Sequence, residues 1–201
     1  MGETSVERFL FGRSISSHFP LRFQDVSDVR QVPDHQEAFV DADRDESILF
    51  ELLDLKNNVA DDESATWFLR DLATEQDADE NLVIEHSSSV ETVSLHSGYP
   101  PATITTAVGQ MAVSKGKDGN DARNIVRVYA ANMRLKEVGT DVLITANEPI
   151  SINPLSGSAK TVSAGPAVPA VLSGCLPIAE VFKFAVTSFK VHDWDLFGAG
   201  S

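Results

Sequence analysis

Residues 125–135 carry apolar side chains on both alternations of an extended chain: Ile125, Tyr129, Met133 and Leu135 on one, Val126, Val128 and Ala130 on the other. A strand sends successive side chains to opposite faces, so a strand that is apolar on both must be covered on both. Runs 104–113 and 142–146 share this β-rich composition, and residues 116–120 and 137–139 between them carry turn chemistry. Short turns between consecutive strands dictate antiparallel pairing. The centre of the chain therefore reads as an antiparallel sheet that needs helices on both sides.

Two helices are legible from spacing. Ala65, Phe68, Leu69 and Leu72 recur at i, i+3, i+4 and i+7 after an acidic start at Asp61, Asp62 and Glu63, and Ile178, Val181, Phe182, Ala185 and Phe189 follow Pro177 with the same rhythm. Asp45, Glu46 and Ser47 offer capping oxygens ahead of Ile48-Leu49-Phe50-Glu51-Leu52-Leu53, which predicts a third, short helix. Residues 9–23 read as one short strand broken at Gly12 and ended by Pro20, 24–36 as a surface connection, and 37–40 as a second extended run. Strand-like composition returns at 82–84 and 90–93, and the Ser-, Pro-, Gly- and Ala-rich stretch 151–169 reads as a flexible connection. Residues 1–201 are thus expected to form a single α+β domain, a three-layer α/β/α sandwich around a central antiparallel sheet of about six strands.

Sixteen basic and 30 acidic side chains give a net charge of −14, a field that repels nucleic acid and anionic membranes and favours a basic protein partner. No apolar run reaches the roughly 18 residues of a bilayer span, and the acidic N-terminus lacks an import signal, so a monomer in nucleus and cytoplasm is expected. The single Cys175 and the scattered His18, His35, His86, His96 and His192 show no metal-ligand spacing, and no cofactor is expected. Residues 115–119 lack the spacing and the hydroxyl of a phosphate loop, so a hairpin turn is expected there. His86 beside Ser87-Ser88-Ser89 is the only hint of a nucleophile and its base, and exposed serines are the commoner reading of it.

The stretch Phe23-Gln24-Asp25-Val26-Ser27-Asp28-Val29-Arg30-Gln31-Val32-Pro33-Asp34-His35-Gln36-Glu37-Ala38-Phe39-Val40 resembles the signature of the Ran guanine-nucleotide release factors, an Asp-x-Ser-x-Leu/Val-Arg segment running into Val-Pro-Asp-x-Gln-Glu. The likeness continues at Leu10-Phe11-Gly12-Arg13-Ser14-Ile15, where the family usually has Gly-Gly-Ala-Ile and Arg13 departs from it. Segments 46–54, 134–135 followed by 140–144, and 189–197 are similar to family segments too, so nearly the whole chain is covered.

This resemblance implies an antiparallel sheet flanked by helices, a fold shared with PsbP-like photosystem proteins. It also implies binding to the GTPase Ran and release of its guanine nucleotide, without catalysis. The family's acidic pair transfers to Asp34 and Glu37, expected to contact Lys or Arg of Ran; Asp25, Asp28, Arg30, Gln36, Asp45 and Glu46 are further candidates for that face. As exposed charges, Asp34 and Glu37 are expected to add little to folding. The rival readings are a PsbP-like extrinsic photosystem protein, which needs a targeting extension, and a small hydrolase built on an unrecognised His-Ser arrangement.

Overall fold

The computed structural model describes residues 2–27, 32–95, 97–115 and 118–198. In chain order the strands are β1 (Ser5–Leu10), β2 (Ile15–Pro20), β3 (Gln24–Asp25), β4 (Gln36–Asp41), β5 (Glu46–Asp54), β6 (Val83–Ser87), β7 (Glu91–Val93), β8 (Ala102–Val113), β9 (Asn124–Leu135), β10 (Thr140–Ile152), β11 (Gly165–Pro166) and β12 (Lys190–Val191). The helices are α1 (Ser64–Glu75), α2 (Ala159–Val162) and α3 (Ile178–Thr187). Among the described residues, one nine-stranded sheet runs β3-β4-β5-β10-β9-β8-β6, with β11 on β10 and β7 on β8. All its pairings are antiparallel, and three of its members span only two or three residues.

The two-sided strand at the centre is β9, and its two alternations enter two different cores. Ala131, Met133 and Leu135 join Phe19, Phe39, Phe50, Ile144, Val181 and Phe182 on one face, while Val126, Val128 and Ala130 join Phe68, Leu69 and Leu143 on the other. Helix α1 covers the second face through β8 and β9. The first face is shared between α3 and a separate three-stranded sheet, β1-β2-β12, rather than left to helices alone. That small sheet exists because residues 9–23, expected as a single strand, begin within a hairpin: the chain reverses at Phe11, Gly12 and Arg13, all with positive φ (49°, 63° and 73°). Arg13 thus occupies a left-handed position where glycine is the easier residue, and its guanidinium lies over the Phe9 ring at 3.9 Å.

The helix expected over residues 48–53 is instead strand β5. It pairs with β4 on one side and β10 on the other, placing Ile48 and Phe50 in one core and Leu53 against the other. A six-residue apolar run suits either period, and burial between two neighbouring strands decides in favour of the sheet. Residues 151–169 also depart from a plain connection. They hold the end of β10, α2 and β11, and buried Ser156 accepts from Asn124 Nδ2 at 2.9 Å while Asn124 Oδ1 accepts from Asn153 N at 2.8 Å.

Asp141 of β10 is fully buried and accepts from Lys56 N (2.8 Å), Asn132 Nδ2 (3.1 Å) and Arg134 Nε (3.1 Å). Arg134 in turn donates to Val59 O (2.6 Å), so this pair ties the loop before α1 to the sheet. Removing one partner of a buried pair strands the other charge, which typically costs about 3–5 kcal/mol. Asp141→Ala is accordingly expected to lose stability on that scale in urea unfolding, and a change below about 1 kcal/mol would contradict the role assigned to the pair.

Candidate functional site

The Val-Pro-Asp-x-Gln-Glu segment folds as a tight turn leading into β4. Gln36 N donates to Pro33 O at 2.9 Å, and Leu52 N of β5 donates to His35 O at 2.8 Å, so the turn is clamped to the neighbouring strand and presents Asp34 to solvent. Beyond it the strand alternation separates the candidate residues. Gln36 points to the α1 face of the sheet, whereas Glu37 shares the face of Phe39 and lies under the β1-β2 turn. There its Oε1 accepts from Phe11 N at 2.6 Å. Burial raises the Glu37 carboxyl above its ordinary pKa, the Phe11 N–H opposes this, and nearby Asp25 adds to the rise.

Glu37 is therefore not the freely solvated charge that its sequence position implies: it fastens the hairpin to β4. Asp25 sits in β3 opposite Phe39, exposed, and accepts hydrogen bonds from Ser27 N (2.8 Å) and from the Ser27 hydroxyl. Asp34, Glu37 and Asp25 are thus gathered at one end of the β3-β4 edge. Asp28 and Arg30 lie outside the described residues.

Asp45 and Glu46 lie at the other end of the β4-β5 hairpin, five residue steps from Gln36, about 17 Å along the strand. Glu46 does not face a partner at all. It is 1% exposed and accepts from Arg22 Nη1 (2.5 Å) and Arg44 Nε (3.1 Å), while Arg22 also holds Asp41 (2.6 Å) and Glu3 (3.1 Å). This network joins the N-terminal strand to the hairpin, and it removes Glu46 from the candidate surface. Arg44 is two residues away, but the partner that makes this a network, Arg22, is 24 residues away, so the sequence near Glu46 does not announce it. Asp45 is half-buried, in a left-handed turn conformation and paired with Lys115.

Between these two ends, on the α1 face, lies a cleft of about 440 Å³ bordered by Gln36, Asp45, Glu51, Glu75 and Lys115, with Leu49, Leu72 and Val126 among its apolar residues. Glu51 was not singled out by sequence reasoning. Its signal was present, as the one charged residue in an otherwise apolar strand centre, but a helix reading would have left it on a solvated side. Among the described residues its carboxylate has no hydrogen-bond or ion-pair partner, and burial, with Glu75 close by, pushes its pKa up to about 7. Elsewhere, Ser16 Oγ meets His192 Nε2 at 2.7 Å, but Ser16 is buried; Ser88 Oγ accepts from Thr106 N and donates to Ser89 O.

Residues 8–149 match the family model described as Ran-interacting Mog1 protein. The chain belongs to the Mog1 family. It is 36% identical to the Ran guanine nucleotide release factor of Danio rerio over 159 residues, 77% of this chain and 84% of that one. It is 29% identical to a probable Ran guanine nucleotide release factor of Dictyostelium discoideum, covering 98% of both chains. The crystal structure of the Saccharomyces cerevisiae Ran-binding protein Mog1p superimposes with a TM-score of 0.68 over 98% of this chain and 100% of that one, at 24% identity, which establishes the shared fold. The Mog1 match spans both the Pro33–Gln36 turn and the cleft beside it.

The raised Glu51 pKa has a stability consequence for this Mog1-family fold. A carboxyl at about 7 in the folded protein, against 4.5 unfolded, holds a proton that the unfolded chain has released, so its contribution falls as pH rises from 4.5 to 7. Glu51→Gln removes that penalty. It is expected to be near neutral at pH 5 and to stabilise on the order of 2 kcal/mol at pH 8 in denaturant unfolding. An equal effect at both pH values would show that Glu51 is not held in this way.

Proposed function

We propose that this protein binds the small GTPase Ran and promotes release of its guanine nucleotide in support of nucleocytoplasmic transport, with Asp34 as the exposed contact. Family membership carries the reading: relatives are named Ran guanine nucleotide release factor, and the Schizosaccharomyces pombe one nuclear import protein mog1. These names describe a release factor rather than a catalyst. The geometry agrees in kind. A turn held at both ends by backbone hydrogen bonds presents a carboxylate with little left to order on binding, and a −14 chain is suited to a basic surface. The same charge argues for neither nucleic acid nor anionic membrane as a partner, and we propose a monomer acting in nucleus and cytoplasm.

Asp34 supplies a charge-assisted contact to a Lys or Arg of Ran, while Glu37 acts one step back by holding the β1-β2 turn against the strand that follows the Asp34 turn. Asp25 shares that edge, and Gln36 and Asp45 face the cleft. Release follows if the complex with empty or loosened Ran is the more stable one, because linkage then weakens nucleotide binding by the same factor; couplings of about 1–3 kcal/mol correspond to roughly 5- to 150-fold. Faster release further requires that the contacts stabilise the dissociation transition state.

The test is to load Ran with a fluorescent guanine nucleotide and follow its loss with and without this protein in excess. Faster release is expected, and an unchanged rate refutes the proposal. Asp34→Lys should weaken binding by about 10-fold or more with the melting temperature unchanged, because an exposed charge contributes little to folding. Glu37→Lys should weaken binding and also lower stability by about 1–3 kcal/mol, since it leaves Phe11 N without its acceptor. Equal melting temperatures for the two variants would contradict this division of roles.

A further inference from the structure

The cleft on the α1 face begins where the Asp34 turn ends. Gln36, two residues and so under about 7 Å of chain from Asp34, lies on its border, and Glu51 is the cross-strand partner of Gln36. Among the described residues four charged groups border it, Glu51 from β5, Glu75 from α1, Asp45 from the β4-β5 turn and Lys115 just after β8, while β4, β9 and β10 contribute only uncharged side chains. Lys115 is already paired with Asp45, so among the described residues the charge left unmatched is negative and centred on Glu51 and Glu75.

An amphipathic cleft of this kind matches one class of side chain. Its apolar residues, Leu49, Leu72, Met111 and Val126, suit an aliphatic stem, and a carboxylate without a counter-ion suits a positive head; Lys and Arg have that division between apolar stem and charged end. About 440 Å³ falls in the lower part of the roughly 300–1,000 Å³ range of ligand pockets, room for one long side chain and the backbone that carries it.

Resting on the proposed binding of Ran, we propose that this cleft is a second contact in the same interface, the socket that receives a lysine or arginine side chain of the bound GTPase with Glu51 as its counter-ion. Asp34 then engages the partner at the rim and Glu51 selects for a cation reaching past it. In the free protein the cleft carboxyl titrates near neutrality, so it must lose its proton to serve as counter-ion, and docking strengthens as pH rises through 7.

The experiment is calorimetric titration of nucleotide-free Ran into the full chain at pH 6 and pH 8, with the parent, Glu51→Gln and Asp34→Lys. The parent should bind at both values and more tightly at pH 8. Glu51→Gln, which is isosteric and expected to fold at least as stably, should lose about 10-fold in affinity at pH 8, lose much less at pH 6, and so flatten the pH dependence. Asp34→Lys should weaken binding while keeping the parent's pH dependence. If Glu51→Gln binds Ran like the parent at pH 8, the socket is refuted while the Ran reading stands. Should the parent not bind Ran at either pH, both fall. If the variant is weakened equally at both values, Glu51 does not act as an ionised counter-ion and the proposal is overturned.

Discussion

Two adjacent strands, β9 and β10, are buried on both faces, and the other elements are arranged to meet that condition. Their two alternations feed separate cores, so the sheet needs two covers of different make. On one side α1 suffices, seated by Thr105 Oγ1, which accepts from Ala65 N at 3.1 Å and meets the Ser64 hydroxyl at 2.9 Å. On the other, α3 reaches only part of the face, and the β1-β2 hairpin closes the remainder through Phe19 against Phe39 and Phe50, ring centroids 4.9 and 5.6 Å away. The hairpin must then be held down, and the charged groups near it are spent on that task.

This accounts for the fate of the acidic residues named from Asp34 to Glu51. Those on the hairpin side are drawn into the structure: Glu46 and Asp41 bind Arg22, and Glu37 binds the turn at Phe11. Those on the α1 side or at the strand ends are not drawn into the hairpin's fastening, namely Asp34 at the turn, Asp45 beside Lys115 and Glu51 in the cleft. A single pleat thus sorts one acidic segment into structural and presenting groups, because neighbours along a strand face opposite ways. Glu37 connects the two roles, since it fastens the β1-β2 turn to the strand that continues directly from the Asp34 turn.

A buried carboxylate network and an unpaired one coexist in the same hairpin for a physical reason. Two guanidiniums close to Glu46, those of Arg22 and Arg44, compensate the desolvation of its carboxylate. Glu51 lies against apolar residues and, among the described residues, has no paired cation, so burial, with the like charge of Glu75 added, favours its neutral form up to about 7. Structural groups are matched within the fold; a group left unmatched at this cost is the kind that a partner can complete.

From the chain alone, hydrophobic period and turn chemistry were enough for the central antiparallel strands, α1 and α3, because each of those segments carries its own signal within a dozen residues. The Val-Pro-Asp-x-Gln-Glu motif likewise pointed to the family and placed Asp34 on a surface connection, which the structure shows as a tight turn. Tertiary structure alone decided that residues 46–54 are a strand, since a short apolar run takes its conformation from the strands that flank it. It decided too that Glu46 and Glu37 turn inward and Glu51 stands in a cleft, because those outcomes depend on Arg22, Phe11 and Glu75, groups 24 to 26 positions away whose proximity is created only by folding.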